Sequence, residues 1–161
     1  MTNNLLKKIR SGGLGLIISL FLFVLAALLK NRINTPQIFS NYLISIGLSS
    51  FFAIVFIILL FWSVKSLPRK ERDKTLCTEG AYHYFRHPIY AAFLSAFNPA
   101  LAFLLNNYIY LIWAILLHPI WHLIINQEEK LLIEVFGDEY IAYQASTGRF
   151  IPKIFKRRSI T

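Results

Sequence analysis

Arg86, His87, Tyr90, Glu128 and Glu129 carry groups with which this 161-residue chain could do chemistry. The first three fall in EGAYHYFRHPIYAAF, residues 79–93, which crowds two histidines, an arginine and three tyrosines against the start of an apolar run. Pro88 suits the first position of a helix and keeps His87 out of helical conformation. The N–H groups of Ile89, Tyr90 and Ala91 are then expected to lie open at the helix mouth, where the dipole favours an anion. Arg86 is permanently charged and can grip a carboxylate through two hydrogen bonds. With the hydroxyls and rings of Tyr82, Tyr84 and Tyr90, this makes a seat for an anionic, partly aromatic ligand. The plainer alternative is a set of interfacial anchors without chemistry.

Glu128 and Glu129 follow directly on another apolar run. Adjacent acids at the end of a lipid-buried helix oppose its dipole, so Arg86 or a cationic ligand is expected to compensate them. Otherwise they are the polar first turn of a tail helix. His118 and His122 have a four-residue spacing that can chelate a metal. No acid or cysteine lies nearby within that run, so the expectation is no metal and histidines that face the bundle interior. His122 stays a candidate for chemistry. The single cysteine, Cys77, excludes an internal disulfide framework and a multi-cysteine zinc site, and reads as a small apolar residue.

The elements that must position these groups read as membrane helices. Hydrophobic residues make up 56% of the chain and charged residues 16%, against about 45–50% and about 25% in soluble domains. The net charge of +9 is spread along the edges of apolar runs. That fits anionic headgroups, above all at the basic-aromatic KIFKRR near the C-terminus, and not a nucleic acid. Four runs free of Lys, Arg, Asp and Glu approach the length of about 20 residues that a span needs: 12–29, 38–62, 89–105 and 108–125. Only Asn106 and Asn107 separate the last two, which predicts a tight helical hairpin. The first run could be a signal peptide, but its length and the Lys30-Asn31-Arg32 ending favour a helix.

Placing the N-terminus in the cytoplasm puts 15 of the 17 basic residues on that side. Both termini are then cytoplasmic, in a bacterial inner membrane or the endoplasmic reticulum. The connector 65–88 and the tail 128–161 share one face and can meet. The expected fold is all-α: one polytopic membrane domain over 1–161 with about four transmembrane helices and a helical cytoplasmic tail. The tail reads as two short helices, Glu128–Phe136 and Asp138–Ala145, with Gly137 between them.

The run LCTEGAYHYFRHPIY resembles the Leu-x-x-x-Gly-x-Tyr-x-x-x-Arg-His-Pro-x-Tyr signature of the isoprenylcysteine carboxyl methyltransferases and their phospholipid methyltransferase relatives. EEKLLIEVFGDEYIAY is similar to their Glu-Glu-x-x-Leu segment, and the likeness covers about residues 74–152. It implies an integral membrane methyltransferase that uses S-adenosylmethionine and acts on a lipophilic or lipid-modified acceptor. Carried over residue by residue, cofactor contacts fall on Lys74, Thr75, Leu76, Cys77, Tyr82, His87, Pro88, Ile89, Tyr90 and Glu128. Lys74 stands where the family often has histidine, and Ala92 where it has glycine. Ile124 occupies the place of an arginine that contacts substrate in the isoprenylcysteine enzymes, leaving His122 or Arg86 as substitutes.

A carboxylate acceptor needs no base, whereas an amine or thiol must lose a proton. Arg86, Glu129 and His122 are therefore the catalytic candidates, the last two as bases. The alternatives are a phospholipid N-methyltransferase, a small-thiol S-methyltransferase, an NADPH-dependent membrane reductase related through the C-terminal half, or a non-enzymatic scaffold docked by its basic tail.

Overall fold

The computed structural model describes residues 2–67 and 75–153, with side chains from residue 12 onward. The described residues are helical, with one isolated bridge between residues 85 and 148. The elements are α1 (Thr2–Ile33), α2 (Tyr42–Lys65), α3 (Ala81–Tyr84), α4 (Pro88–Leu104), α5 (Tyr108–Phe136) and α6 (Asp138–Ser146).

Gly12–Ile33, Tyr42–Lys65 and Tyr108–Phe136 are long and apolar enough to cross a membrane; Pro88–Leu104 is apolar but shorter. At about 1.5 Å per residue, α4 reaches roughly 25 Å, a little under the ~30 Å hydrocarbon core. The expected second span, 38–62, begins later, at Tyr42, because Asn41 caps it by accepting from the Leu43 N–H at 3.0 Å. The expected break between the fourth span and a tail helix 128–136 does not exist. No glycine or proline interrupts Asn126–Lys130, so α5 runs on unbroken until Gly137 (φ 56°).

Among the described residues the four long helices stand in a row, α1 on α5, α5 on α4 and α4 on α2, with no contact between α1 and α2. Alternative partners set each joint. Ser45 and Ser49 of α2, one turn apart and buried, donate to the carbonyls of Phe103 (2.6 Å) and Ala100 (2.9 Å) in α4. Small residues that bring helix backbones close are the usual glue where lipid removes the hydrophobic drive. On the other flank, Trp113 Nε1 donates to the Ser19 carbonyl at 3.1 Å and Trp121 Nε1 to the Ser19 hydroxyl at 2.9 Å. Much of α1 and α2 is left exposed, an apolar surface suited to lipid.

The α4–α5 turn is the hairpin expected from Asn106 and Asn107. Asn106 adopts φ 45° and exchanges two hydrogen bonds with Phe39, 3.0 Å to its N–H and 2.9 Å to its carbonyl. Asn107 exchanges two with Thr35 (2.7 and 2.8 Å) and also caps Ile109 at 3.1 Å. The two asparagines thus make the turn and hold the α1–α2 loop over it. A π-helical turn at Phe93–Phe97 interrupts α4 just before Pro99. Proline has no N–H and crowds the preceding turn, so the helix widens and the Asn98 N–H bonds back to Phe93.

From its turn the hairpin opens. No Cα of Pro88–Ala92 comes within 8 Å of a Cα of α5, and Tyr90 reaches across the wedge to Glu128 and Trp121. The functional candidates lie there.

Candidate active site

Pro88 starts α4 as expected, and His87 is held outside it at φ −128°, ψ 68°. One expectation is corrected. The Ala91 N–H is not open but donates to the His87 carbonyl at 2.9 Å, because the residue before the first helical position already accepts the first helical bond. The N–H groups of Ile89 and Tyr90 have no acceptor among the described residues.

A parallel bridge joins this entry to the tail. Arg86 N–H donates to the Gly148 carbonyl at 2.8 Å and His87 N–H to the Arg149 carbonyl at 3.2 Å. Gly148 is required there, since a Cβ would fall 1.8 Å from the Ile151 carbonyl oxygen. Tyr143 of α6 secures the strap from below by donating to the carbonyls of Tyr82 and Phe85. Burial pushes its phenol well above the ordinary tyrosine range, which keeps it a donor.

The two acids at the end of the apolar part of α5 are both buried but are treated differently. Glu129 is saturated. Arg86 reaches it with Nε at 2.8 Å and a second nitrogen at 3.4 Å, Arg149 pairs with the other oxygen, Gln144 donates at 3.1 Å and His87 Nε2 lies at 3.2 Å. Two guanidiniums on one group fix it as a carboxylate, which can only accept. Arg86 is locked in turn by the carbonyls of Gln144 and Thr147. Glu128 has little. Among the described residues, the Tyr90 hydroxyl donates at 3.3 Å, and His87 Nδ1 stands at 3.7 Å, beyond a hydrogen bond. At 2% exposure Glu128 is a buried, under-satisfied acid, which costs stability unless something binds it.

The remaining candidates scatter. His122 is exposed on α5 and takes Arg149 on its carbonyl at 2.8 Å and on Nδ1 at 3.2 Å. His118 faces the Leu94 carbonyl within the widened turn of α4, and no group of three metal-ligating residues occurs among the described residues. Thr75 is exposed. Cys77 donates to the Ser66 carbonyl at 3.3 Å, and burial pushes its thiol up. Leu76 lines an open cavity of about 570 Å³ with Thr78, Tyr84, Tyr143 and Lys153, apart from the two acids. Tyr82 lies on α3, half-buried. Lys74, like the basic segment 154–158, lies outside the described residues. Arg149 and Gln144 escaped sequence reasoning, Arg149 having registered only as one more tail cation. The Gly148-Arg149-Phe150 triplet was the available signal: a small residue permitting close approach, then a cation beside a core aromatic.

The isoprenylcysteine carboxyl methyltransferase (ICMT) family model matches residues 46–134. The chain belongs to this family. The matched stretch runs from α2 into α5 and contains Arg86–Tyr90 and both acids, but not α1 or the Arg149 strap. Protein-S-isoprenylcysteine O-methyltransferase from Saccharomyces cerevisiae is 37% identical over 86 residues, 53% of this chain and 36% of that protein. The protein of the same name from Schizosaccharomyces pombe is 32% identical over 87 residues, again 53% and 36%. Methanethiol S-methyltransferase from Pseudomonas deceptionensis is 34% identical over 94 residues, 54% of this chain and 32% of that one. The matches thus span about a third of each relative's length. Membership agrees with the three membrane-length helices: this is an integral membrane protein of a methyltransferase family.

Proposed function

We propose that the protein transfers a methyl group from S-adenosylmethionine to a lipophilic acceptor, in the wedge between α4 and α5. The observation that supports this most is the division between the acids. Glu129 is consumed as an anchor, while Glu128 keeps a buried carboxylate with lone pairs to spare.

The chain's residues fit the donor. Glu128 is suited to its ammonium or a ribose hydroxyl, and the Ile89 and Tyr90 N–H groups to its carboxylate. Tyr82, Leu76, Cys77, Thr75 and Lys74 complete the proposed cofactor set through the connector, with His87 and Pro88 at the helix entry. When bound, the sulfonium supplies a methyl group already activated for in-line displacement. The protein's part is to align the partners and exclude water. Tyr90, Trp121 and Phe150 give the wedge apolar walls, with Tyr90 and Trp121 rings 5.0 Å apart. Arg86 and Glu129 act here as the rigid frame that sets His87 and Glu128, not as reacting groups.

We place both termini and the site on the cytoplasmic face, as the basic residues direct, with the basic tail on anionic headgroups and the chain as one membrane domain. The relatives' names point to two acceptors, a prenylated cysteine carboxylate and a small thiol; an amine headgroup is the third. Calorimetry with S-adenosylhomocysteine on the purified protein tests the cofactor reading. Transfer of labelled methyl into a lipid extract, with the product identified, tests the reaction. Absence of both binding and transfer in folded protein would remove the proposal.

A further inference from the structure

We propose that Trp121 sets the length of the acceptor, so that the site takes short alkyl chains and not a long prenyl or acyl chain. This rests on the methyl-transfer reading above and deepens it by naming a substrate class. The wedge is shallow. Cα pairs within 8 Å between α4 and α5, missing at Pro88–Ala92, return at the π turn Phe93–Phe97. On the α5 side, Trp121 stands seven residues before Glu128 on the same helix face, two turns or roughly 10 Å deeper into the membrane part. There the packing closes. Trp121 is 3% exposed, and Leu117, Leu94 and Ala91 of the same core cluster are at 2% or less. An extended chain advances roughly 1.2 Å per bond, so at most about eight of its atoms fit between the acids and the indole.

The indole is a fixed floor. Its Nε1 donates to the Ser19 hydroxyl at 2.9 Å, and that hydroxyl donates to the Gly15 carbonyl at 2.7 Å. The ring lies so close to α1 that a Cβ on Gly15 would come within 2.7 Å of it. On the mouth side the Tyr90 ring stands 5.0 Å away, with its own hydroxyl on Glu128. Held between α1 and α4, the indole has no room to turn aside. Each methylene that enters the wedge therefore gains roughly fourfold in transition-state binding until the chain meets the ring. Further carbons must displace a packed side chain, a penalty of about tenfold or more. Ala91, on the opposite wall, is the small residue that leaves the wedge its width. This floor governs chain length alone and leaves the reacting group open.

The probes are three straight-chain series, alkyl thiols, alkylamines and fatty carboxylates, each with chains graded from about four to about sixteen carbons to bracket the depth of the wedge. They are given to detergent-solubilised protein with labelled S-adenosylmethionine. In whichever series is methylated, wild-type kcat/KM should climb roughly fourfold per carbon up to about eight, then fall at least about tenfold for the longest chains. Trp121→Leu should move that limit to longer chains, and Ala91→Val, which narrows the wedge from the other wall, should move it to shorter ones. Partitioning into micelles is the same for every variant, so the shift between variants carries the test. S-adenosylhomocysteine affinity on the same samples shows which variants are folded, and either variant alone is enough to decide. No affinity in wild type removes the methyl-transfer reading. Affinity with rates that keep rising to the longest chain overturns the role of Trp121, as does a limit that stays put in the folded variants. Affinity without methylation of any series overturns it too, because the wedge would then not hold an alkyl chain.

Discussion

Arg86 and Glu129, 43 residues apart, close a 2.8 Å ion pair with side chains only 9% and 4% exposed. The pair fastens the entry of α4 to α5 just past the apolar part of that helix, at the point where the hairpin has opened. Arg149 adds a second guanidinium from the tail, so three separate segments converge on one carboxylate.

Glu129→Ala should therefore destabilise strongly. It leaves two buried guanidiniums without a counter-charge, a loss of about 3–5 kcal/mol. Arg86→Ala should cost less, because Arg149, Gln144 and His87 still hold the acid. Denaturant unfolding in detergent would rank the variants, and the reverse order would refute this account of the frame.

Glu128→Gln should behave differently. S-adenosylhomocysteine affinity should fall by about 10–100-fold, the scale of one charge-assisted hydrogen bond, while the ligand-free protein should be no less stable. Calorimetry and melting on one preparation decide it. Unchanged affinity would take Glu128 out of the site.

Two tyrosines make opposite predictions. The Tyr140 hydroxyl is buried and has no partner among the described residues, so Tyr140→Phe should stabilise by about 1–3 kcal/mol. Tyr143→Phe should destabilise by about 1 kcal/mol or more, as it removes the hydroxyl that donates to the Tyr82 and Phe85 carbonyls. Opposite shifts in melting temperature would confirm the contrast.

The same pair sets a pH dependence. Burial first, with Glu129 beside Tyr140 and Cys77 beside Tyr143, pushes both phenols up. Above pH ~10 the unfolded chain loses these protons while the folded one keeps them. Their contribution is complete below that pH and is lost as pH rises further. Tyr140→Phe/Tyr143→Phe should flatten the alkaline decline in stability; an unchanged slope would show that other groups cause it.

Three glycines of α1 distinguish contact from propensity. A Cβ on Gly15 would meet Trp121 at 2.7 Å, and one on Gly12 would meet the Tyr90 hydroxyl at 2.7 Å. Nothing lies within 4 Å of Gly13. Gly15→Ala should cost about 1–3 kcal/mol by overpacking. Gly13→Ala should gain about 0.5–1 kcal/mol by helix propensity. Gly12→Ala should weaken cofactor binding by moving Tyr90 off Glu128. Similar effects from all three would count against the close packing of α1 on Tyr90 and Trp121.

The sequence by itself determined what neighbours in the chain enforce. Apolar runs made the membrane-length helices, Asn106-Asn107 made the hairpin, Pro88 started α4, and the Arg-His-Pro and Glu-Glu segments announced the family. Tertiary structure alone decided how these groups were spent. It sent Arg149 up from the tail to take Glu129 and leave Glu128 open. The reason is range: a helix start or turn depends on a few adjacent residues, whereas a buried charge takes whichever partner the packing brings, and two adjacent glutamates look alike until it does.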